Sequence, residues 1–170
     1  MRRLKVLFTI QGDGRGHMTQ ALAVQKILLD AGHRIPAILL GRQPDQQVPD
    51  FFLTKAAAPI VRFDSFAFVA DRQNKSISPT ATVVQNLRNV RLFVRSFGTI
   101  RQVLRQYRPN VVLNFFEPLV GIYYLLFGSR ARLACLANQY LLLHPGYRFP
   151  PGKRVERFFV QLWADRKSVV

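Results

Sequence analysis

A glycine-rich turn joins the first strand-like segment of this chain to its first helical segment. Residues Val6–Ile10 form a short apolar run, which predicts a buried strand. The motif Gly12-Asp-Gly-Arg-Gly-His17 follows at once, and Met18–Ala31 then has the spacing of an amphipathic helix. Such a turn places backbone N–H groups at the amino end of a helix, where they bind an anion or a polar ligand. The sequence therefore predicts a strand–turn–helix unit that carries a ligand site.

Strand-like and helical segments alternate along the rest of the chain. Further strands are predicted at Ile35–Leu40, Ile60–Phe63, Val111–Phe116 and Arg132–Ala137, with helices, the first of them short or irregular, at Asp45–Lys55, Thr82–Tyr107, Pro118–Gly128 and Arg154–Asp165. This alternation favours a parallel sheet covered by helices on both faces. Since crossovers between parallel strands are right-handed, the predicted fold class is α/β, a doubly wound, Rossmann-like single domain.

The loops at the carboxyl ends of the strands are predicted to form the site. Ligands of doubly wound sheets bind there, beside the point where the strand order reverses, which falls here between the first and fourth strands. The loops after these two strands and the loop after the fifth strand should therefore meet in one crevice. The predicted binding residues are Gly12, Asp13, Gly14, Arg15, Gly16, Met18 and Thr19 from the first loop, Asn114, Glu117 and Gly121 from the second, and Asn138 and Gln139 from the third.

His17 is predicted to be the reactive group of this crevice. The amino end of a helix lowers the pKa of an imidazole, so the ring stays neutral and accepts a proton near pH 7. The alternative is a structural histidine that is hydrogen-bonded to backbone at the start of the helix. The roles of Asp13 and Glu117 also stay open at this point, because each carboxylate either contacts a ligand or caps a helix. No metal site is predicted, because His17, His33 and His144 do not fall at ligand spacing.

Two other interpretations of the glycine turn fit the sequence less well. A dinucleotide fingerprint needs a third glycine at the position that His17 occupies, and an acidic residue at the end of the second strand. That strand instead ends in Leu39-Leu-Gly-Arg42, where Arg42 would suit a 2′-phosphate. A phosphate-binding Walker loop is excluded because no Gly-Lys-Ser/Thr follows the turn. A dinucleotide oxidoreductase is therefore the least favoured of the candidate functions.

The net charge of +16, from 25 Lys and Arg against 9 Asp and Glu, indicates an anionic partner. Six arginines lie on the long predicted helix: Arg88, Arg91, Arg95, Arg101, Arg105 and Arg108. They form either a solvated face or a contact with an anionic membrane surface, while no nucleic-acid partner is predicted because no recognisable module is present. The apolar runs are too short for a membrane span, and the single cysteine, Cys135, excludes an internal disulfide. The predicted location is the cytoplasm, with peripheral attachment to the inner face of the plasma membrane as the alternative to a freely soluble protein.

The motif Gly12–His17, followed by Met18-Thr-Gln-Ala-Leu-Ala23, resembles the first loop and helix of GT-B-fold glycosyltransferases. The nearest type is glycosyltransferase family 28, which includes the MurG-type enzymes. The resemblance continues in Arg108–Pro118 and Ala137–Tyr140, and it covers about residues 4 to 144. It implies two Rossmann-like domains, of which the N-terminal one binds a hydroxylated, often lipid-linked acceptor and the C-terminal one a nucleotide-sugar. It also implies that His17 is the base for the acceptor hydroxyl and that the glycine loop lies against the donor phosphates.

On this resemblance, residues 1–150 are the acceptor domain, and residues 151–170 are a proline loop plus helix that leads to a missing donor domain. The predicted function is the acceptor-binding half of a glycosyltransferase, inactive until a donor domain completes it in cis or in trans. The nucleotide-sugar is a co-substrate, and no cofactor or metal is expected, since helix dipoles and loop amides stabilise the leaving diphosphate. The alternative is a stand-alone Rossmann-like module that binds an anionic metabolite or lipid.

Overall fold

The computed structural model describes residues 3–43, 46–66, 86 and 89–136. The elements in chain order are β1 (Val6–Gln11), α1 (Arg15–Asp30), β2 (Ile38–Arg42), α2 (Asp50–Lys55), β3 (Ile60–Asp64), α3 (Val90–Tyr107), β4 (Val111–Phe115), α4 (Pro118–Phe127) and β5 (Arg132–Cys135). The predicted alternation of strands and helices is therefore confirmed over these ranges. The predicted helix at Arg154–Asp165 and the first part of the one at Thr82–Tyr107 lie outside the described residues.

The five strands form one parallel sheet in the order β3-β2-β1-β4-β5. From β1 at the centre the chain proceeds to β2 and β3 on one side, then crosses to β4 and β5 on the other. Phe8 of β1 is in register with Ile38 of β2 and with Leu113 of β4. This order confirms the doubly wound, Rossmann-like fold, and it places the reversal of strand order between β1 and β4.

Two apolar cores cover the two faces of the sheet. Leu7 points into the core beneath α3 and α4, whereas Phe8 and Ile10 point into the core beneath α1 and α2. This alternation follows from the pleat of the strand, in which successive side chains lie on opposite faces. All six positions of β1 are consequently buried. Burial of each large side chain contributes about 1.5–3 kcal/mol, so the central strand is firmly held beneath the site.

Several predicted boundaries are wrong by a few residues, and three of them bear on the site. The second strand begins at Ile38 rather than Ile35, because Pro36 lacks the amide N–H that a central strand would use. The fourth strand ends before Phe116, whose φ of 60° is incompatible with a strand. Helix α1 begins at Arg15, three residues before the predicted start, so the second half of the glycine motif already belongs to the helix.

Candidate functional site

The turn between β1 and α1 is tight, and Gly12 is its most constrained position. The Gly12 amide donates a hydrogen bond to the carbonyl oxygen of Gly41 at 2.7 Å, which joins the turn to the end of β2. A Cβ on Gly12 would lie 2.4 Å from Cγ of Arg42, so a larger residue does not fit. Around Gly14 and Gly16, by contrast, no atom from elsewhere in the described residues lies within 4 Å of the position that a Cβ would occupy. The motif therefore combines one packing glycine with two glycines in open space.

The amino end of α1 faces this open space. Gly14 is the residue that precedes the helix, and it provides no side-chain hydrogen bond to the first turn, which also lacks acidic residues. The positive end of the helix dipole and its N–H groups are therefore directed at the carboxyl edge of the sheet, where they favour a negative charge. Arg15 is exposed at the start of the helix, with its guanidinium carbon 5.9 Å from the centre of the Phe51 ring.

Two predicted binding residues of the first loop have their side chains occupied within the protein. Met18 is fully buried in the core beneath α1, where it packs with residues such as Ala21 and Phe115. The Thr19 hydroxyl is exposed and donates to the carbonyl oxygen of Arg15 at 3.0 Å. A direct contact of these two side chains with a ligand stays a prediction. Their observed contributions are core packing for Met18 and a bond within the helix for Thr19.

His17 lies on the first turn of α1, and its imidazole is half-buried against the loop after β4. The ring stacks on the phenyl ring of Phe116, with centroids 5.3 Å apart and an angle of 18° between the planes. Burial lowers the pKa of His17 below its ordinary value of about 6.5. This is the direction that the sequence predicted, and its cause here is desolvation of the charged imidazolium by burial. The ring is therefore neutral at pH 7 and able to accept a proton.

Asn114 organises the loop that carries Phe116. Its Oδ1 atom accepts hydrogen bonds from the Thr9 hydroxyl of β1 at 3.0 Å and from the Glu117 amide at 2.8 Å. Its Nδ2 atom donates to the Glu117 carbonyl oxygen at 3.1 Å. Asn114 is only 2% exposed, so it is enclosed at the point where β1 and β4 diverge. It holds the second loop against the central strand, and a direct contact with a ligand stays a prediction.

Glu117 caps helix α4 and is completely buried. Its Oε1 atom accepts hydrogen bonds from the Leu119 amide at 2.9 Å and from the Ser65 hydroxyl at 2.5 Å. Its Oε2 atom lies under the backbone of β2, where a Cβ on Gly41 would overlap it. Of the two interpretations left open by the sequence, the observed contacts are those of the cap. Gly121, the other predicted residue of this loop, lies one turn into α4 and is half-buried.

Sequence reasoning missed two residues at this edge of the sheet, and it considered a third, Arg42, only as a partner of a 2′-phosphate. Ser65 follows β3 and donates a hydrogen bond to Glu117, and Phe116 follows β4 and stacks on His17. Arg42 ends β2, is 8% exposed and runs across Gly12. Burial lowers the pKa of Arg42, and the opposing charge of Asp13 offsets only part of this shift. Each of these residues stands at the carboxyl end of a strand, which is the signal that could have found them.

The other residues considered from the sequence do not belong to the first two loops. Asn138, Gln139 and His144 lie outside the described residues. His33 lies at the opposite edge of the sheet, where its Nδ1 accepts a hydrogen bond from the Leu4 amide at 3.4 Å. Cys135 at the end of β5 is half-buried, with its Sγ 3.9 Å from Nδ2 of Asn114. No group of three metal-ligating side chains occurs in the part of the chain that the structure describes.

Comparison with known families decides the class of protein to which this site belongs. A model described as Glycosyl transferase family 1 matches residues 4–161. The chain belongs to glycosyl transferase family 1. The resemblance to GT-B-fold glycosyltransferases is thereby confirmed, while the finer assignment to family 28 stays a prediction. None of the curated proteins matches this family 1 chain.

Two solved glycosyltransferases are similar to this family 1 chain. MurG of Acinetobacter baumannii is 18% identical over 78% of the chain and 35% of its own length, with a TM-score of 0.49. CalG4, the calicheamicin glycosyltransferase, is 18% identical over 99% of the chain and 44% of its own length, with a TM-score of 0.47. The family 1 chain thus spans less than half the length of either protein.

A basic and partly apolar groove lies between α3 and α4 of the family 1 chain. Its volume is about 1140 Å³, and its walls include Val94, Phe97, Tyr123, Phe127, Arg101, Arg105, Arg108 and Arg130. Val94 and Phe127 are each 62% exposed, so the groove presents apolar side chains to solvent. Its arginines form no ion pair with any residue within the described ranges. No helix among the described residues is both long enough and apolar enough to span a bilayer.

Proposed function

We propose that this chain is the acceptor-binding domain of a glycosyltransferase that moves a sugar from a nucleotide-sugar to a hydroxylated acceptor. Family membership supports the reaction class. The observation that carries the proposal is the position of His17, whose neutral, half-buried imidazole stands at the amino end of α1 beside the glycine loop. A base at this place lies in the region where doubly wound domains bind their ligands.

In the proposed reaction, the acceptor hydroxyl oxygen attacks the anomeric carbon of the donor sugar. His17 removes the hydroxyl proton as the new carbon–oxygen bond forms. The bond between the anomeric carbon and the donor phosphate oxygen breaks, and its electron pair leaves with the nucleoside diphosphate. The lowered pKa of His17 supports this role, because it leaves the imidazole in its proton-accepting form at pH 7.

The glycine loop has a complementary role in this proposal. Negative charge develops on the leaving diphosphate as the bond to the sugar breaks. The amino end of α1, where Gly14 provides no side-chain cap and the first turn holds no acid, favours negative charge nearby. The open space around Gly14 and Gly16 leaves room for a ligand to approach the backbone. The base and the helix end would thus serve different partners, with the base directed at the acceptor and the helix end at the donor phosphates.

The donor is assigned to a second domain, supplied in cis or in trans. This follows from the GT-B resemblance, in which acceptor and nucleotide-sugar bind to separate domains that face each other. The experiment is to mix the pure 170-residue chain with a family 1 donor domain and with UDP-linked sugars, and to measure sugar transfer by mass spectrometry. Transfer by the mixture and none by either part alone supports the proposal. Robust transfer by the chain alone contradicts it.

The groove between α3 and α4 is proposed to attach this domain to an anionic membrane. Arginines that form no ion pair within the described residues stand beside exposed apolar side chains, here Phe127 and Val94. This is the combination that binds anionic lipid headgroups and the outer acyl region together. A membrane-bound domain would favour a lipid-linked acceptor and a location at the inner face of the plasma membrane. Vesicle binding, described in the Discussion, tests this part independently of sugar transfer.

A further inference from the structure

Phe116 adopts a backbone conformation that its residue type disfavours. Its φ is 60°, and among the described residues it shares a positive φ with just one other non-glycine residue, Arg108. Left-handed backbone crowds Cβ against the following carbonyl oxygen, so a bulky side chain adopts it at an energetic cost. Such strain persists where the surrounding structure fixes the residue, and it is concentrated at functional sites. The strained conformation of Phe116 therefore points to a role for this residue at the site.

The residues on both sides of Phe116 are fixed. Phe115 is fully buried and packs on Phe8 of β1, with ring centroids 5.1 Å apart. Glu117 is fully buried as the cap of α4, and its amide is bound to Asn114 at 2.8 Å. The backbone at Phe116 must therefore turn sharply between two anchored neighbours, which is how the structure sustains the strain.

The left-handed turn changes the face of the sheet on which the Phe116 ring lies. In a continued strand, Phe116 would point to the face opposite Phe115, that is, toward the core beneath α3 and α4. Phe115 belongs to the core beneath α1 and α2, and His17 is on α1. Because of the positive φ, the Phe116 ring lies instead on the α1 side, stacked on the imidazole.

We propose that Phe116 is a positioning residue for His17, which holds the imidazole plane at the mouth of the crevice. This inference rests on the proposed function of His17 as the base. The near-parallel stack, at 18° and 5.3 Å, covers one face of the imidazole ring. The two ring nitrogens bind hydrogen in the plane of the ring, so a contact on the face does not involve them. Phe116 thus restricts the orientation of the base without occupying its proton-accepting atom.

The lowered pKa of His17 agrees with this role of Phe116. The charged residues closest to the stack in sequence are Asp13 and Arg15, which precede His17, and Glu117, which follows Phe116. Burial is the cause of the lowered pKa of His17. A phenyl ring that excludes water from one face of the imidazole contributes to that burial. Removal of the ring should therefore move the titration of His17 as well as its orientation.

The test is an NMR pH titration of the His17 ring protons in the full chain, with three substitutions at one position. Phe116→Tyr keeps the ring, Phe116→Leu keeps apolar bulk without the ring, and Phe116→Gly removes the side chain and adopts a φ of 60° freely. We expect the wild type and Phe116→Tyr to show upfield-shifted His17 ring protons and a pKa below about 6.5. In Phe116→Leu and Phe116→Gly the shift should disappear and the pKa should rise toward that value.

Kinetics in the completed enzyme provide the second measurement. Phe116→Leu should lower kcat by about ten- to a hundredfold with KM nearly unchanged, whereas Phe116→Tyr should keep the wild-type kcat. Unchanged His17 ring shifts and pKa in Phe116→Gly, or a wild-type spectrum without the upfield shift, overturn the inference even if Phe116→Leu fails to fold. If His17→Ala retains full turnover, the proposed base fails instead, and the titration still reports separately whether Phe116 positions the ring.

Discussion

The carboxylate of Glu117 accepts a hydrogen bond from the hydroxyl of Ser65 at 2.5 Å, although the two residues follow different strands of the sheet. Ser65 lies just beyond β3 at one edge, and Glu117 lies between β4 and α4 on the other side of β1. The contact passes beneath the backbone of Gly41 at the end of β2. One buried side chain thus joins the carboxyl ends of three strands under the candidate site.

Replacement of Glu117 should therefore lower the free energy of unfolding more than it weakens ligand binding. Glu117→Ala removes the cap of α4 and leaves the buried Ser65 hydroxyl and the Leu119 amide without their acceptor. We expect a loss of about 2–4 kcal/mol in the free energy of unfolding, measured by urea denaturation. Asp50→Ala, at an exposed acid in the first turn of α2, is the control and should lose less than about 1 kcal/mol. An equal, small loss for both variants would show that Glu117 is available for a ligand contact.

The glycines of the motif are expected to differ in their tolerance of alanine. A Cβ on Gly12 would overlap Arg42 Cγ at 2.4 Å and the Gly41 carbonyl oxygen at 2.7 Å, so Gly12→Ala should cost about 1–3 kcal/mol. Gly14 has a φ of −116° and open space around it, so Gly14→Ala should leave the melting temperature nearly unchanged. Thermal melts of the two variants measure this difference. Equal destabilisation of both would contradict the geometry of the turn.

Stability should also depend on pH through His17. Its pKa is lowered in the folded state, so the unfolded chain binds more protons between that lowered value and about 6.5. The stabilisation is therefore fully present above about pH 6.5 and is lost as the pH falls toward the folded pKa. Urea midpoints from pH 5 to pH 8 should show this slope in the wild type and a shallower one in His17→Gln. Identical slopes in the two proteins would mean that burial does not shift the pKa of His17.

Much of the fold is contained in the local pattern of the sequence, because apolar periodicity and turn residues mark each element. The reversal of strand order also follows from general rules of chain connection, and it places the loop after β1 next to the loop after β4. The pairing of Glu117 with Ser65, 52 residues away, could not be predicted, because no local pattern specifies which side chain a buried carboxylate meets. The stack of Phe116 on His17 was hidden for a different reason: strand alternation assigns Phe116 to the wrong face, and the left-handed turn reverses it.

Membrane attachment through the groove between α3 and α4 should be sensitive to charge and salt. Each basic residue near an anionic surface contributes about 1 kcal/mol, so the double substitution of Arg101 and Arg105 by alanine should weaken vesicle binding about 30-fold. Flotation with phosphatidylcholine vesicles, with and without phosphatidylglycerol, measures the effect. Lys26→Ala on α1, whose ammonium is paired with Asp30 at 2.8 Å, is the control and should bind normally. Equal binding to both vesicle types, or no binding to either, would leave the arginines as a solvated surface.

The most direct test of the account is the turnover of His17→Ala in the enzyme completed by a donor domain. If His17 is the base, turnover should fall by about 10² to 10⁴ while the melting temperature stays nearly constant. His33→Ala, at the opposite edge of the sheet, is the matched control and should transfer sugar at the wild-type rate. Turnover and thermal melts are measured on the same preparations. Full turnover by His17→Ala together with a loss of about 1 kcal/mol in stability would identify His17 as a structural residue at the start of α1 and would contradict the proposed mechanism.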